Sequence, residues 1–175
     1  MSSDKKIITD LARKSVEAYV KSGIQIDVPD DLPEILQQRS GAFVTLKKNN
    51  KLRGCIGTIK AVQKNAAEEI ISNAISAAET DPRFSPVQKN ELDELEVSVD
   101  LLSEPKKVES LDELDPKNYG IIVQGSHQTG LLLPDLNGID TVEKQIAVAR
   151  KKAGLPESED ITIYKFSVRR FKEND

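Results

Sequence analysis

The chain has 175 residues, of which 38% are hydrophobic and 31% are charged. This composition predicts a single domain over residues 1–175 with one core, and it excludes a disordered chain. Its 25 Lys and Arg residues against 29 Asp and Glu residues give a formal net charge of −4, which disfavours bulk electrostatic binding to nucleic acid.

The sequence contains few metal-ligating and redox-active side chains. Cys55 is the only cysteine, which excludes an intrachain disulfide and a thiol cluster for zinc or iron–sulfur. His127 is the only histidine, and the sequence contains neither a Walker string nor GxGxxG, so we expect no metal site and no cofactor. The polar start MSSDKK and the lack of a long apolar run predict a cytoplasmic protein without a membrane segment.

The first forty residues predict one long helix and a connector. Apolar residues recur at three- and four-residue spacing over residues 4–22, which indicates a helix that ends at Gly23. Residues 24–40 contain two prolines and an acidic pair, so we expect a connector with one short helix after Pro33.

The middle of the chain predicts a hairpin followed by a helix. Residues 43–46 and 51–59 are β-prone and flank a polar turn, which is typical of a hairpin. Residues 65–80 carry a wide apolar face at helical spacing, which predicts a well-buried helix.

The second half of the chain alternates strands with one helix. Residues 95–101 alternate apolar and polar side chains, which predicts a strand with one polar face. Further strands are expected over residues 119–124, 130–133 and 161–168, and a helix over 141–153. The hairpins favour an α+β fold in which helices cover one mainly antiparallel sheet.

The string LRGCIGT combines the only thiol with an arginine and two glycines. A nearby guanidinium favours the thiolate, so Cys55 is a candidate nucleophile, and Arg53 shares its face if the strand is regular. Gly54 and Gly57 predict a strand that departs from regular geometry or approaches another element closely. The alternative is that Cys55 packs as a small buried hydrophobe.

The string DPRF follows the central helix directly. Pro82 ends that helix, and Phe84 is expected to enter the core. Asp81 and Arg83 hydrogen-bond backbone groups in a rigid turn in one interpretation. In the other, Arg83 converges with Arg53 beside the thiol and forms an anion-binding pocket, since a guanidinium donates two parallel hydrogen bonds.

The remaining charged residues give weaker indications. His127 titrates near neutrality and is a candidate acid or base, although a solvated histidine is more ordinary in a polar turn. The acidic stretch over residues 91–94 is expected to be solvated surface. Basic clusters at residues 47–53, 150–152 and 169–172 would bind nucleic acid only if folding joined two of them, so nucleic acid is a less favoured partner.

Several strings, in this order, resemble the AMMECR domain family, whose prokaryotic members are called protein A of the AmmeMemoRadiSam system. They cover most of the chain: LARKSVEAYV, GAFVTLKKNNKLRGCIGTI, AISAAETDPRFSPV, LEVSVDLLSEP, TGLLLPDL and ARKKAGL. The resemblance implies an α+β domain with a mainly antiparallel sheet, flanking helices and a smaller helical subdomain. The family's hallmark positions carry over to Arg53, Gly54, Cys55, Gly57, Asp81, Pro82, Arg83 and Phe84.

The resemblance implies no specific reaction, because the family's biochemical activity is not settled. Its prokaryotic genes are associated with those of Memo-like and radical-SAM proteins, which makes such proteins the expected partners. One hypothesis is a regulatory or accessory binding module with a pocket around LRGCIGT. The alternative is an accessory enzyme that uses Cys55 on a small anionic or nucleotide substrate. Ligand-binding residues in either case are Arg53, Gly54, Gly57, Asp81 and Arg83.

Overall fold

A computed structural model describes residues 2–174, with side chains described from Asp4 onward. The chain divides into two compact units. The first unit contains residues 1–101 and 169–175, and the second contains residues 102–168. Within residues 2–174, no helix has both the length and the apolar character that a membrane crossing requires.

The first unit contains three α-helices and most of a four-stranded sheet. The helices are α1 (Ser2–Ser22), α2 (Glu34–Gln37) and α3 (Ala66–Glu79). The strands are β1 (Gly41–Lys48), β2 (Lys51–Gly57), β3 (Leu95–Leu102) and β8 (Val168–Lys172), in the order β2-β1-β3-β8. A 3-10 helix at Lys89–Glu94 leads into β3. The predicted long helices, the short helix after Pro33 and the hairpin are confirmed.

Helix α3 forms where its sequence combines a cap with small apolar residues. The Asn65 side chain accepts a hydrogen bond from the backbone N–H of Glu68 at 2.9 Å, which satisfies a helix N-terminal donor. The alanines of α3 lie in the core, and α3 packs on both β1 and β2. The small alanine side chains bring the sheet close to the helix backbone, which matters for the site described below.

The two faces of the first sheet have opposite character. On β3, Leu95, Val97 and Val99 enter the same core as α1 and α3, while Glu96 and Ser98 alternate with them. We call the side opposite α3 the outer face of the first sheet. This confirms the polar face that was predicted from the alternation in β3.

The second unit has its own sheet and core. Its sheet has the order β4-β7-β5-β6, and the pairs β4–β7, β5–β6 and β5–β7 are antiparallel. The strands are β4 (Lys106–Lys107), β5 (Gly120–Gln124), β6 (Thr129–Leu132) and β7 (Thr162–Phe166). Helix α4 (Val142–Ala153) packs on β5 and β6. Where the resemblance implied a smaller helical subdomain, this unit combines one α-helix with a four-stranded sheet.

The α+β fold class is confirmed, but the expectation of one sheet is wrong. The predicted strands divide between two sheets. The predicted strand over residues 161–168 is also two strands, because β7 ends at Phe166 and β8 begins at Val168 in the other sheet. Ser167 lies between them, and no Gly or Pro marks this break in the sequence.

Candidate functional site

A β-bulge in β2 interrupts the LRGCIGT string. Lys47 pairs with Leu52, and the preceding residue Leu46 pairs with Gly54, so Arg53 is the extra residue on β2. The predicted departure from regular geometry is therefore present, at Arg53. A bulge breaks the alternation of side chains along a strand. The expectation that Arg53 shares a face with Cys55 assumed a regular strand, and it does not apply across this bulge.

Gly54 and Gly57 are the positions where other groups approach β2 most closely. A Cβ atom built on Gly54 would lie 2.1 Å from the backbone oxygen of Ala77 in α3. A Cβ atom on Gly57 would lie 2.2 Å from the Phe43 ring on the neighbouring strand. Both glycines thus have a packing role that explains them, and their part in ligand binding stays a prediction.

Cys55 lies beside Thr45 on the neighbouring strand. The two residues pair across β1 and β2, and Cys55 Sγ lies 3.2 Å from Thr45 Oγ1. The thiol residue is half-buried. Thr58 donates a backbone hydrogen bond to Ala42 O, so the alternation along the hairpin makes Thr45 and Cys55 a non-hydrogen-bonded pair. The N–H and C=O of Cys55 therefore point to the outer edge of β2.

Both of these peptide groups are bound by the DPRF turn. The backbone N–H of Cys55 donates to Asp81 Oδ2 at 2.8 Å, and Arg83 Nη2 donates to the Cys55 carbonyl at 3.2 Å. Arg83 also donates to both carboxylate oxygens of Asp81, from Nε at 3.0 Å and from Nη2 at 2.7 Å. The interpretation in which Asp81 and Arg83 bind backbone groups is thereby confirmed.

Asp81 is a buried carboxylate that is fully hydrogen-bonded, with only 4% of the residue exposed. Arg83 holds the pKa of this carboxyl well below its usual range, and the backbone N–H groups of Cys55 and Arg83 lower the pKa further. The pKa of Arg83 is raised, first by Asp81 and also by the charge of a Cys55 thiolate. A guanidinium that is about half exposed therefore lies within electrostatic reach of the thiol.

The turn differs from prediction in one respect. Phe84 is only partly buried, and the Arg83 guanidinium lies over its ring. Arg83 Cζ is 5.5 Å from the centroid of the Phe84 ring. Val87 enters the core instead, at 4% exposure, and its N–H donates to Ala78 O at 2.8 Å. The expectation that Phe84 fills the core is wrong, because the turn brings the chain back to α3 only at Val87.

The Arg53 guanidinium binds Glu91, and the anion pocket that it was expected to form with Arg83 stays a prediction. Arg53 Nε and Nη2 each donate to one Glu91 oxygen at 2.9 Å. Arg53 Nη1 and Nη2 also donate to the carbonyls of Ser85 and Pro86, at 2.9 and 3.4 Å. The Glu91 side chain is 16% exposed, so the expectation that residues 91–94 are solvated surface is wrong for Glu91. Its charge is needed to pair the buried guanidinium.

Replacing Arg53 by glutamine is expected to lower the free energy of unfolding by ~1–2 kcal/mol, because a charge-assisted pair and two carbonyl contacts are lost. Arg53 lowers the pKa of Glu91 to about 2, against an ordinary value of 4.5. The stabilisation is therefore complete above the unfolded pKa of Glu91 and is lost as the pH falls towards 2. Urea unfolding at pH 7 and pH 2.5 measures both effects.

The control for this prediction is Lys48→Gln. Lys48 also approaches Glu91, at 3.6 Å, but it adds a looser ion pair at the surface. We expect it to change the free energy of unfolding by less than ~0.5 kcal/mol. Equal effects of the two substitutions, or an Arg53→Gln effect that is unchanged at pH 2.5, would contradict the assignment.

A buried polar cluster that the sequence analysis missed supports the end of the LRGCIGT string. Glu69 is 1% exposed and accepts from the Thr58 hydroxyl at 2.6 Å and from the N–H groups of Val62 and Gln63. Asn73 donates to Thr58 Oγ1 at 3.2 Å and to the Ala42 carbonyl. The signal for this cluster was two polar residues on the otherwise apolar face of α3.

The outer face of the first sheet borders a cavity of about 500 Å³. Thr45 lines it, which places the partner of the Cys55 thiol at its wall. Asp100 and Arg170 line it as well and form a bidentate ion pair, with both N–O distances at 2.8 Å. Asp100 was not singled out from the sequence because its position in an alternating strand predicted only a solvated side chain.

The remaining candidates from the sequence are His127 and the basic clusters. His127 is exposed in the turn between β5 and β6 of the second unit. Three members of the basic clusters have carboxylate partners, since Lys48 binds Glu91 and Glu94, Arg53 binds Glu91, and Arg170 binds Asp100. Arg150 donates to the carbonyls of Pro156 and Glu159. Nucleic acid as a partner stays a prediction, with less cationic charge to support it than the sequence indicated.

Known proteins resemble the chain along nearly its whole length. A protein of Thermotoga maritima is 50% identical over 164 residues, which cover 92% of this chain and 94% of that protein. Protein CA_C1420 of Clostridium acetobutylicum is 49% identical over 94% of this chain, although the match spans only 35% of that protein's length.

A solved structure also resembles this chain. The crystal structure of uncharacterized protein PH0010 from Pyrococcus horikoshii superposes with a TM-score of 0.89, at 35% identity. The superposition covers 98% of this chain and 92% of that one. The AMMECR1 family matches residues 9–171, a range that contains both hallmark strings. This chain therefore belongs to the AMMECR1 family.

Proposed function

We propose that the chain is an accessory or regulatory binding module whose site surrounds Cys55 on the outer face of the first sheet. The observation that carries the proposal is that side chains of the DPRF turn bind both the N–H and the C=O of Cys55. Asp81 and Arg83 fix both of its hydrogen-bonding groups, while the residue itself stays partly exposed. A residue whose peptide is held this firmly and that is still partly exposed is suited to contact a ligand.

The predicted site residues take two different roles in this proposal. Cys55 and Arg83 are the groups that would touch a ligand, because their side chains are partly exposed. Gly54, Gly57 and Asp81 would act by shaping and holding β2. Arg53 would anchor the turn that carries Arg83, through the Ser85 and Pro86 carbonyls.

A binding role is favoured over Cys-dependent catalysis by the partners of the thiol. Among the described residues, the hydrogen bond of Cys55 Sγ goes to the Thr45 hydroxyl, which is too weak a base to accept the thiol proton. A catalytic cysteine normally has a general base within hydrogen-bond reach. The observation that favours the enzyme alternative is the Arg83 guanidinium, which stabilises an anion beside the thiol.

Native alkylation of Cys55 tests the proposed site. We expect iodoacetamide to modify the folded protein, because the residue is partly exposed. Arg83→Gln is expected to slow the reaction about two- to fivefold, because the guanidinium lies within electrostatic reach of the reacting sulfur. Mass spectrometry of the timed reaction gives the rate.

The matched control is Lys51→Gln, which removes one positive charge from an exposed residue at the start of the same strand. The alkylation rate of this variant should equal the wild-type rate within experimental error. A thiol that reacts only after denaturation would overturn the proposed site. A rate far above that of a free thiol, together with turnover of a small anion, would instead favour the enzyme alternative.

The family resemblance adds a proposal about partners and location. We propose a Memo-like or a radical-SAM protein as the partner, and the cytoplasm as the compartment, as the single cysteine suggests. Analytical gel filtration with each candidate protein tests the partner. Co-elution that Arg83→Glu abolishes would support it, and separate elution of all components would contradict it.

A further inference from the structure

The cavity on the outer face of the first sheet is a built polar site within the first unit. Its volume of about 500 Å³ lies in the range of small-molecule sites. Strands β1, β3 and β8 supply its walls, so most of its side chains stand on paired strands rather than on loops. The inference drawn from it rests on the proposed function, because Thr45 joins the cavity to the Cys55 thiol.

The Asp100–Arg170 pair gives the cavity a fixed polar wall. The Asp100 side chain is 7% exposed, whereas the Arg170 side chain is 49% exposed. Two parallel hydrogen bonds hold the guanidinium in one orientation against the carboxylate. A buried carboxylate thus positions a guanidinium whose side chain is half exposed.

The cavity lining carries as many cations as carboxylates, and Arg13 adds one further cation beside Glu173. The carboxylates that line it are Glu96, Asp100 and Glu173. Arg170 neutralises Asp100, and Arg13 neutralises Glu173 through a second bidentate pair. Lys47 also lines the cavity, and its ammonium meets no carboxylate among residues 2–174. Lys172 lines it as a further cation.

The uncharged lining selects a hydroxylated ligand rather than an aromatic one. Thr45 and Ser98 present hydroxyl groups, and Asn50 presents an amide. Carboxylates such as Glu96 accept hydrogen bonds from ligand hydroxyls. Among the described residues, no aromatic side chain lines the cavity, so a nucleobase would find no ring to stack on.

We propose that this cavity binds a small hydroxylated anion of the sugar-phosphate class. The anionic group binds Lys47, and Arg170 on β8 supplies a second donor from the same lining. The hydroxyl groups of the ligand hydrogen-bond with Thr45 and Ser98, and with the acidic wall at Glu96. The ligand then lies against Thr45, one hydrogen bond away from the Cys55 thiol.

Calorimetric titration of the whole chain with ribose 5-phosphate and glycerol 3-phosphate tests the proposal. We expect ribose 5-phosphate to bind at least fivefold more tightly than either ribose or inorganic phosphate, because both parts of the ligand are recognised. Lys47→Gln and Ser98→Ala should each weaken the binding of ribose 5-phosphate about fivefold or more. The matched control is Lys51→Gln, which removes one charge from the same hairpin outside the cavity lining.

Four results would overturn the proposal: no binding of either sugar phosphate, equal binding of inorganic phosphate, equal loss in Lys51→Gln, or tighter binding of AMP than of ribose 5-phosphate. These outcomes are separate from those of the alkylation test. Lys47-dependent binding with an unreactive native Cys55 would overturn the Cys55-centred function and keep the cavity. A reactive native Cys55 with no sugar-phosphate binding would overturn the cavity proposal and keep the Cys55-centred function.

Discussion

Replacing Asp81 by alanine is expected to lower the free energy of unfolding by about 3 kcal/mol, as measured by urea unfolding at pH 7. The carboxylate is 4% exposed and accepts hydrogen bonds from the Cys55 N–H, the Arg83 N–H and the Arg83 guanidinium. Its loss leaves the Cys55 peptide without its acceptor at the edge of β2. It also removes the group that orients Arg83, so native alkylation of Cys55 should change as well.

The stability supplied by Asp81 should depend on pH in a defined direction. The pKa of the Asp81 carboxyl is lowered in the folded chain, chiefly by Arg83. Its contribution is therefore fully present above the unfolded pKa of about 3.9, and it is lost as the pH falls towards the lowered folded value. The difference between wild type and Asp81→Asn should shrink between about pH 5 and pH 2. A difference that stays constant over this interval would show that the charge of Asp81 is not the stabilising feature.

Gly54→Ala is expected to lower the free energy of unfolding by about 3 kcal/mol, the upper part of the range for overpacked cores. The new Cβ would lie 2.1 Å from Ala77 O, which is a backbone atom and cannot rotate away. Strand β2 must then move off α3, which also displaces Cys55. Urea unfolding measures the first effect, and the native alkylation rate of Cys55 measures the second.

Gly23→Ala is the control for the Gly54 prediction. Gly23 follows α1 at a φ of +67°, and an added Cβ would meet no atom within 4 Å. Its cost should be about 1 kcal/mol, from the left-handed backbone alone. If Gly54→Ala costs no more than Gly23→Ala, then β2 does not need the close approach to α3.

Local periodicity was sufficient to predict the helices and most strands. Helix α3 was expected over residues 65–80 and is observed at Ala66–Glu79, because its cap and its apolar face are both local. The division into two sheets was not predictable in the same way. Strand pairing such as that of β5 with β7 joins residues far apart in sequence, and periodicity carries no information about the partner.

The hairpin shows how one residue can change the expected neighbours. A two-residue turn at Asn49 and Asn50 with regular pairing would place Thr45 opposite Gly54. The bulge at Arg53 shifts the register, so that Thr45 faces Cys55 instead. The sequence located Cys55 as a candidate but could not give Thr45 as its partner, since a bulge has no reliable local signature.

The arginines of the two hallmark strings show a similar limit. The position of Arg83 near Cys55 was one of two interpretations that the sequence left open, and Arg83 does donate to the Cys55 carbonyl. The sequence did not predict that Glu91 would bind Arg53, because the acidic stretch around Glu91 looked like ordinary surface. Whether a guanidinium is open to a ligand depends on whether a carboxylate of the same chain lies within hydrogen-bond distance. The tertiary structure determines this.

Strand β2 lies at one end of its sheet, where exposed peptide groups would normally serve as a template for a strand from another molecule. At Cys55 that template is occupied by a carboxylate and a guanidinium from the same chain. An incoming strand would have to displace both before it could form a ladder there. The same two side chains that hold the candidate site thus protect this edge from intermolecular strand addition.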